Sequence, residues 1–164
     1  MSRPAPTERL EFQVVRPEVA KQLRAGEPAG WTWIDGVPYE GTQTAAGMIV
    51  ATADTGAYRP EWGMYVIVRS DDGIAIGGIG WHGPPSAGSV EVGYDLCSSA
   101  RGHGYATEAL RSVTRWALDQ PGVDVVLART EEENVASQHV MERAGFVRVE
   151  TDEELLHYEF GRKS

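Results

Sequence analysis

Apolar and polar residues alternate in part from Arg9 to Val15, which predicts a first strand, and a proline opens a short helix over Pro17 to Leu23. Ala25 to Gly41 is rich in Gly, Pro and Trp and reads as irregular. Thr44 to Ala53 has helical potential, with Thr42 or Thr44 as cap and Asp54-Thr55-Gly56 as its end. Met64 to Arg69 and Ile74 to Gly80 read as strands joined by the hairpin turn Ser70-Asp71-Asp72-Gly73. A second turn, Pro84 to Gly88, leads to Val90 to Leu96, so three antiparallel strands are expected in a row. The clearest helix runs from Tyr105 to Asp119, with Ala106, Ala109, Leu110, Val113 and Ala117 on one apolar face and Pro121-Gly122 as its stop. Val123 to Ala128 is a buried strand, and Asn134 to Ala144 is a helix closed by Gly145. Phe146 to Glu150 and Leu155 to Phe160 form a terminal hairpin around Asp152.

The helix from Tyr105 joins Glu91–Leu96 to Val123–Ala128, and a strand-helix-strand unit of this kind makes parallel neighbours with a right-handed crossover. Antiparallel strands on one side and a parallel pair on the other give an α+β chain with a mixed sheet of about six to seven strands and about four helices. At 164 residues the chain suits one domain, 1–164, with residues 1–8 as a flexible lead.

Composition narrows the function classes. A formal net charge of −9 leaves no basic stripe for nucleic acid. No apolar run is long enough to span a bilayer, and Met1 to Leu10 has no apolar segment of the signal-peptide kind. The single Cys97 excludes an internal disulfide and fits a cytoplasmic setting. The four histidines have no metal-like spacing and the lone cysteine supplies no zinc set, so no metal is expected. The acidic clusters Glu131-Glu132-Glu133 and Asp152-Glu153-Glu154 are solvated turns or a rim that attracts a cationic amine.

Three glycine-rich readings compete. A nucleoside-triphosphate loop needs a Gly-Lys pair, and none occurs. Gly78-Ile79-Gly80-Trp81-His82-Gly83 spells a dinucleotide fingerprint, but Pro84 and Pro85 follow where a helix should open. Those glycines are expected to serve close packing or a bulge. In Arg101-Gly102-His103-Gly104-Tyr105-Ala106-Thr107 the glycines leave backbone amides open, and the helix from Tyr105 makes them the unpaired donors of a helix N-terminus. Such a terminus suits a pyrophosphate.

This loop resembles the pyrophosphate-binding loop of the GCN5-related N-acetyltransferases (GNAT). Glu91-Val92-Gly93-Tyr94 is similar to the strand before that loop in the ribosomal-protein N-terminal branch of the family. Asn134-Val135-Ala136-Ser137, then Met141-Glu142-Arg143-Ala144-Gly145-Phe146, is similar to the late Asn-x-x-Ser helix ending in Gly-Phe. The resemblance runs from about Glu91 to Val147. It implies the acyl-coenzyme A N-acyltransferase fold, with the strands before and after the central helix splayed apart and acetyl-coenzyme A in the V between them. By the same resemblance, the backbone of Tyr94, Asp95 and Leu96 meets the pantetheine arm, and an N–H there is the oxyanion donor. The amides from Gly102 through Thr107 take the pyrophosphate. Arg101 either adds charge beside the phosphates or pairs with a carboxylate to hold the loop. His103 touches phosphate or faces solvent.

An alkylamine acceptor is mostly protonated at neutral pH, so a carboxylate or an ordered water must take a proton. Alternation puts Glu91, Gly93 and Asp95 on one face and Val90, Val92, Tyr94 and Leu96 on the other. Glu91 is the leading catalytic candidate, acting through water, unless it simply faces solvent. The tyrosine acid that many family members carry seven residues after the asparagine is Met141 here, and the glutamate that some carry five residues before it is Arg129. The resemblance to the ribosomal-protein branch gives the second catalytic role to Ser137, whose hydroxyl would assist the leaving thiolate, or else bonds to backbone in the first helical turn. Asn134 contacts the pantetheine arm or serves only as N-cap. Trp31, Trp33, Trp62 and Trp81 are expected mostly in the core, with one or two in an acceptor pocket drawn from Trp33 to Thr55 and the last hairpin.

These features predict an acetyl-coenzyme A-dependent N-acetyltransferase acting on a primary amine, either a small molecule or a protein N-terminus, in a ternary complex. A non-catalytic acyl-coenzyme A-binding domain is the main rival, and a nucleotide-binding module is disfavoured by both failed loops. The terminal hairpin is the element available for a homodimer contact.

Overall fold

A computed structural model describes residues 2–161. The strands are β1 (Leu10–Val14), β2 (Thr32–Trp33), β3 (Met64–Arg69), β4 (Ile74–Trp81), β5 (Ser89–Leu96), β6 (Val125–Thr130), β7 (Val147–Val149) and β8 (Leu156–Gly161). The helices are α1 (Pro17–Arg24), α2 (Glu40–Asp54), α3 (Tyr105–Leu118) and α4 (Val135–Arg143). One mixed sheet has the order β1-β3-β4-β5-β6-β8-β7, with β2 alongside β4. β8 therefore inserts between β6 and β7, so the terminal hairpin extends the sheet through its second strand.

Strand alternation produces two cores, one on each side of the sheet. Tyr65 and Ile67 of β3 pack with Leu110 and Val113 of α3, whereas Met64, Val66 and Val68 pack with Ala46, Ile49 and Val50 of α2. Burying side chains on both faces fixes the register, because a one-residue slip would exchange the two sets. The glycines of β4 serve close packing. A Cβ on Gly80 would lie 2.7 Å from the Gly63 carbonyl oxygen. The register shift between Ile67 and Val68 supplies the bulge.

The structure departs from the sequence pattern in particular places. α2 begins at Glu40, four residues before Thr44, and Tyr39 is its N-cap without a side-chain bond. Thr42, expected as a cap, is fully buried in the first turn, and its hydroxyl donates to Asp95 Oδ1 at 2.5 Å. A tertiary partner has taken the side chain that local capping would have used. Thr32–Trp33 pairs with β4 inside the segment read as irregular. β6 begins at Val125 rather than Val123. Residues 2–8, expected as a flexible lead, run along α3: Trp116 Nε1 donates to Ser2 Oγ at 2.7 Å and Thr7 Oγ1 donates to Glu108 Oε2 at 2.5 Å. Met1 lies outside the described residues.

The sheet forks at β5. Its first residues pair with β6 in parallel, ending at Glu91 opposite Leu127. From Val92 to Leu96 it pairs only with β4 on its other side. One residue's N–H and C=O point to the same side of a strand. The bonds from His82 N to the Glu91 carbonyl and from Cys97 N to the Ile76 carbonyl turn the odd-numbered residues toward β4. Val92, Tyr94 and Leu96 therefore present their backbone polar groups to the fork.

Candidate active site

The fork opens into a cleft of about 600 Å³ lined by β5, the loop before α3, and α4. Tyr94, Asp95, Leu96, Arg101, Gly102, Gly104, Tyr105, Ala106, Thr107, Asn134 and Ser137 all reach its wall. Gly102 and Gly104 have φ of +83° and +80°, the left-handed region that glycine enters without cost. Nothing lies within 4 Å of where a Gly102 Cβ would stand, so the loop surface is open. The first bond of α3 runs from Glu108 N–H to the Gly104 carbonyl, which leaves the N–H groups of Tyr105, Ala106 and Thr107 outside the ladder. Open room, left-handed glycines and unpaired amides together fit a pyrophosphate.

Arg101 lines the cleft, and its hydrogen bonds go to backbone, not to a carboxylate. Its Nε and Nη2 donate to the Leu96 carbonyl at 3.2 and 3.0 Å, and its guanidinium lies 4.9 Å from the centre of the Tyr39 ring. It ties the loop to the end of β5 by satisfying a fork-facing carbonyl. His103 is outside the cleft wall; its carbonyl accepts from Arg9 Nη1 at 2.9 Å. Arg9 also donates through Nε to Glu108 Oε1 at 2.6 Å and stacks 4.4 Å from the Tyr105 ring centre. No local sequence pattern signals this strap on the loop, because its residues lie so far apart in the chain.

Asn134 caps α4, its Oδ1 accepting from Ser137 N–H at 3.0 Å. The cap holds Ser137 in the first turn, where its Oγ shares a 2.7 Å hydrogen bond with the Tyr94 hydroxyl. Burial pushes the Tyr94 phenol up to about 12, against the opposing hydrogen bond to Ser137, so it stays protonated at neutral pH. Met141, which stands where the family's tyrosine acid is expected, is buried in the core. A phenol nevertheless reaches the cleft, supplied by β5 instead of α4.

Glu91 is half-buried and fully engaged. Arg129 donates through Nη2 to its Oε1 at 2.7 Å and through Nε to its Oε2 at 2.9 Å, and His82 Nδ1 lies 3.2 Å from Oε2. Burial alone would raise its pKa, but the hydrogen bonds and charge supplied by His82 and Arg129 outweigh it and hold the carboxyl at about 2. A carboxylate held that low is a weak proton acceptor, which disfavours Glu91 as the end of the water relay expected of it. Arg129, which stands in place of a family glutamate, is its partner across the base of the fork.

A second pocket, about 380 Å³, lies on the α2 face of the sheet. Gly78, Gly80 and Gly93 form its floor, and Met48, Ile49, Tyr58 and Trp62 contribute apolar wall. Tyr94 and Asp95 line both this pocket and the fork cleft, so only β5 separates them. Asp95 sits beneath α2, where a Gly41 Cβ would fall 2.9 Å from its Cβ. Burial pushes its carboxyl up to about 7, although the Thr42 hydroxyl, the Gly78 N–H and the Arg101 charge all pull downward. The sequence offered Asp95 only as a backbone contact; its side-chain chemistry depends on α2 covering it.

The family model "Acetyltransferase (GNAT) domain" matches residues 9–147. A curated relative, the uncharacterized N-acetyltransferase YjdG of Bacillus subtilis (strain 168), is 34% identical over 95 residues, 57% of this chain and 56% of that protein. The matched region thus spans little more than half of that relative. Among solved structures, an acetyltransferase from Agrobacterium tumefaciens str. C58 is similar at a TM-score of 0.67 and 22% identity, covering 99% of this chain and 96% of the other. A ribosomal L7/L12 alpha-N-protein acetyltransferase, RimL, in complex with coenzyme A is similar at 0.66 and 17% identity, covering 94% and 95%. These structural likenesses establish the fold, and the family model, matched across most of a forked sheet with an open glycine loop, establishes more: the chain belongs to the GNAT acetyltransferase family.

Proposed function

We propose that the protein transfers acetyl from acetyl-coenzyme A to a primary amine by direct attack in a ternary complex. The observation that carries this reading is the pair of pockets on opposite faces of the sheet, sharing Tyr94 and Asp95 where the strands part. Two substrates bound there would meet through the fork. Proximity of this kind replaces a covalent relay. Cys97 supplies none, because it is buried and burial pushes its thiol up to about 11.

The cofactor brings an acetyl group already activated as a thioester. The amides from Gly102 to Thr107 hold its pyrophosphate, and the coenzyme A complex of the similar RimL structure supports that choice of ligand. Tyr94 N–H, turned into the fork, donates to the carbonyl oxygen as negative charge develops there. Ser137, bonded to the Tyr94 phenol, passes a proton to the leaving sulfur.

The acceptor pocket is mainly apolar, with Asp95, Arg59 and His82 among its polar groups. Its lining supports an amine bearing a modest apolar group, as a small molecule or a protein N-terminal residue, with the ammonium as its cationic part. Among the described residues no helix is long and apolar enough to cross a membrane. The lone thiol supports a reducing, cytoplasmic setting. Val147 on β7, at the end of the sheet order, is exposed and available to a second copy.

Calorimetry with coenzyme A and thiol release from acetyl-coenzyme A with a panel of primary amines test this function. Coenzyme A binding and amine-dependent thiol release are expected. Binding without turnover against any amine would favour a non-catalytic acyl-coenzyme A-binding domain instead.

A further inference from the structure

We propose that His82, oriented by Glu91, takes the proton from the acceptor amine. The inference rests on the acetyl-transfer reading and names a residue that the family resemblance did not supply. His82 follows β4 directly, and its N–H donates to the Glu91 carbonyl at 2.9 Å, at the level where β5 parts from β6. Its Nδ1 faces Glu91 Oε2 at 3.2 Å. A Cβ built on Gly93 would stand only 2.8 Å from Nε2, so the ring overlies the first odd-numbered residue beyond the paired part of β5. The ring lines the acceptor pocket, and 43% of the side chain remains exposed.

An imidazole that gives its Nδ1–H to a carboxylate carries its lone pair on Nε2. The Glu91 carboxylate, 3.2 Å from Nδ1, electrostatically favours a proton on that nitrogen, while Arg129 fixes Glu91 from the neighbouring strand. The titratable groups around His82 are Glu91 on β5 and Arg129 on β6. Tyr58, Arg59, Tyr94 and Asp95 line the same pocket. Asp95 is the competing acceptor, yet Thr42 occupies its Oδ1 and the α2 backbone at Gly41 lies against it.

Nε2 takes one proton from the ammonium, and the freed nitrogen lone pair forms the C–N bond to the thioester carbonyl carbon. The C–S bond breaks with its electron pair on sulfur. The second proton on nitrogen passes through the Ser137 hydroxyl to that sulfur, and the imidazolium returns its proton to solvent.

The test compares wild type, His82→Gln, Glu91→Gln and Asp95→Asn with acetyl-coenzyme A against 2-phenylethylamine and short peptides with free N-termini, across pH. His82→Gln is expected to lower kcat on the order of 100-fold with coenzyme A affinity unchanged, and to abolish the acidic limb of the rate profile. Glu91→Gln is expected to lower kcat with coenzyme A affinity unchanged, because the ring loses the carboxylate that orients it. Wild-type kcat with an unmoved limb in His82→Gln overturns the proposal, as does loss of the limb in Asp95→Asn alone. A second readout needs no acceptor: nitrogen-15 NMR of the imidazoles should show the neutral His82 ring protonated at Nδ1, and an Nε2-protonated ring overturns the assignment. Wild-type turnover that is insensitive to His82 sinks this inference alone, whereas a wild type without turnover on any amine sinks the acetyl-transfer reading with it.

Discussion

Two carboxylates four residues apart on β5 have been driven in opposite directions. Asp95 is pushed up to about 7, chiefly by burial under α2, while Glu91 is held at about 2 despite its own burial because His82 and Arg129 stabilise its charge. Between about pH 4 and 7 the folded protein holds a proton on Asp95 that the unfolded chain has released, so Asp95 makes stability fall as pH rises through that window and level off above it. Glu91 contributes stability that is present above its unfolded value of 4.5 and lost as pH falls toward 2. Urea unfolding from pH 4 to 8 should therefore show midpoints that decline toward neutrality in wild type. The decline should be flatter in Asp95→Asn, and an identical slope in the two proteins would show that Asp95 titrates normally.

The loop and α3 act as one element. α3 is held against the sheet beyond its first turn by Ala109, Leu110, Val113 and Ala117, so the loop can be altered without losing the helix. Gly104→Val places a β-branched residue at φ +80°, at a local cost on the order of 1–2 kcal/mol, and projects a side chain toward the guanidinium of Arg9. Coenzyme A affinity should fall at least about tenfold while far-ultraviolet circular dichroism stays that of wild type, consistent with losing a few oriented amide bonds. Unchanged affinity by calorimetry would mean that the phosphates bind elsewhere.

At the scale of the molecule, the fork leaves one edge of β5 without a neighbouring strand, and under the proposed function the cofactor arm takes that place. Tyr94 and Leu96 N–H groups face the gap, whereas those of Gly93 and Asp95 face the β4 ladder. Saturating acetyl-coenzyme A should slow amide exchange at Tyr94 and Leu96 by about tenfold or more and leave Gly93 and Asp95 nearly unchanged, as an added strand would. Uniform protection along β5 would indicate general tightening instead of strand addition.

The second half of the chain was legible because its signals are local. A glycine pair before an apolar helix, an Asn cap three residues from Ser137, and an apolar strand between turns each depend on neighbours within a few positions. Tertiary structure decided the rest, because charge and access are set by residues distant in sequence. Thr42 abandons a cap for Asp95, Arg129 crosses the fork to hold Glu91, and Arg9 reaches the loop from the first strand. His82, unremarkable in the sequence, acquires a carboxylate partner and a glycine beneath its ring only when β4 lies against β5. Periodicity and capping specify where elements form, but a pKa or a proton path depends on what burial and pairing place beside each side chain.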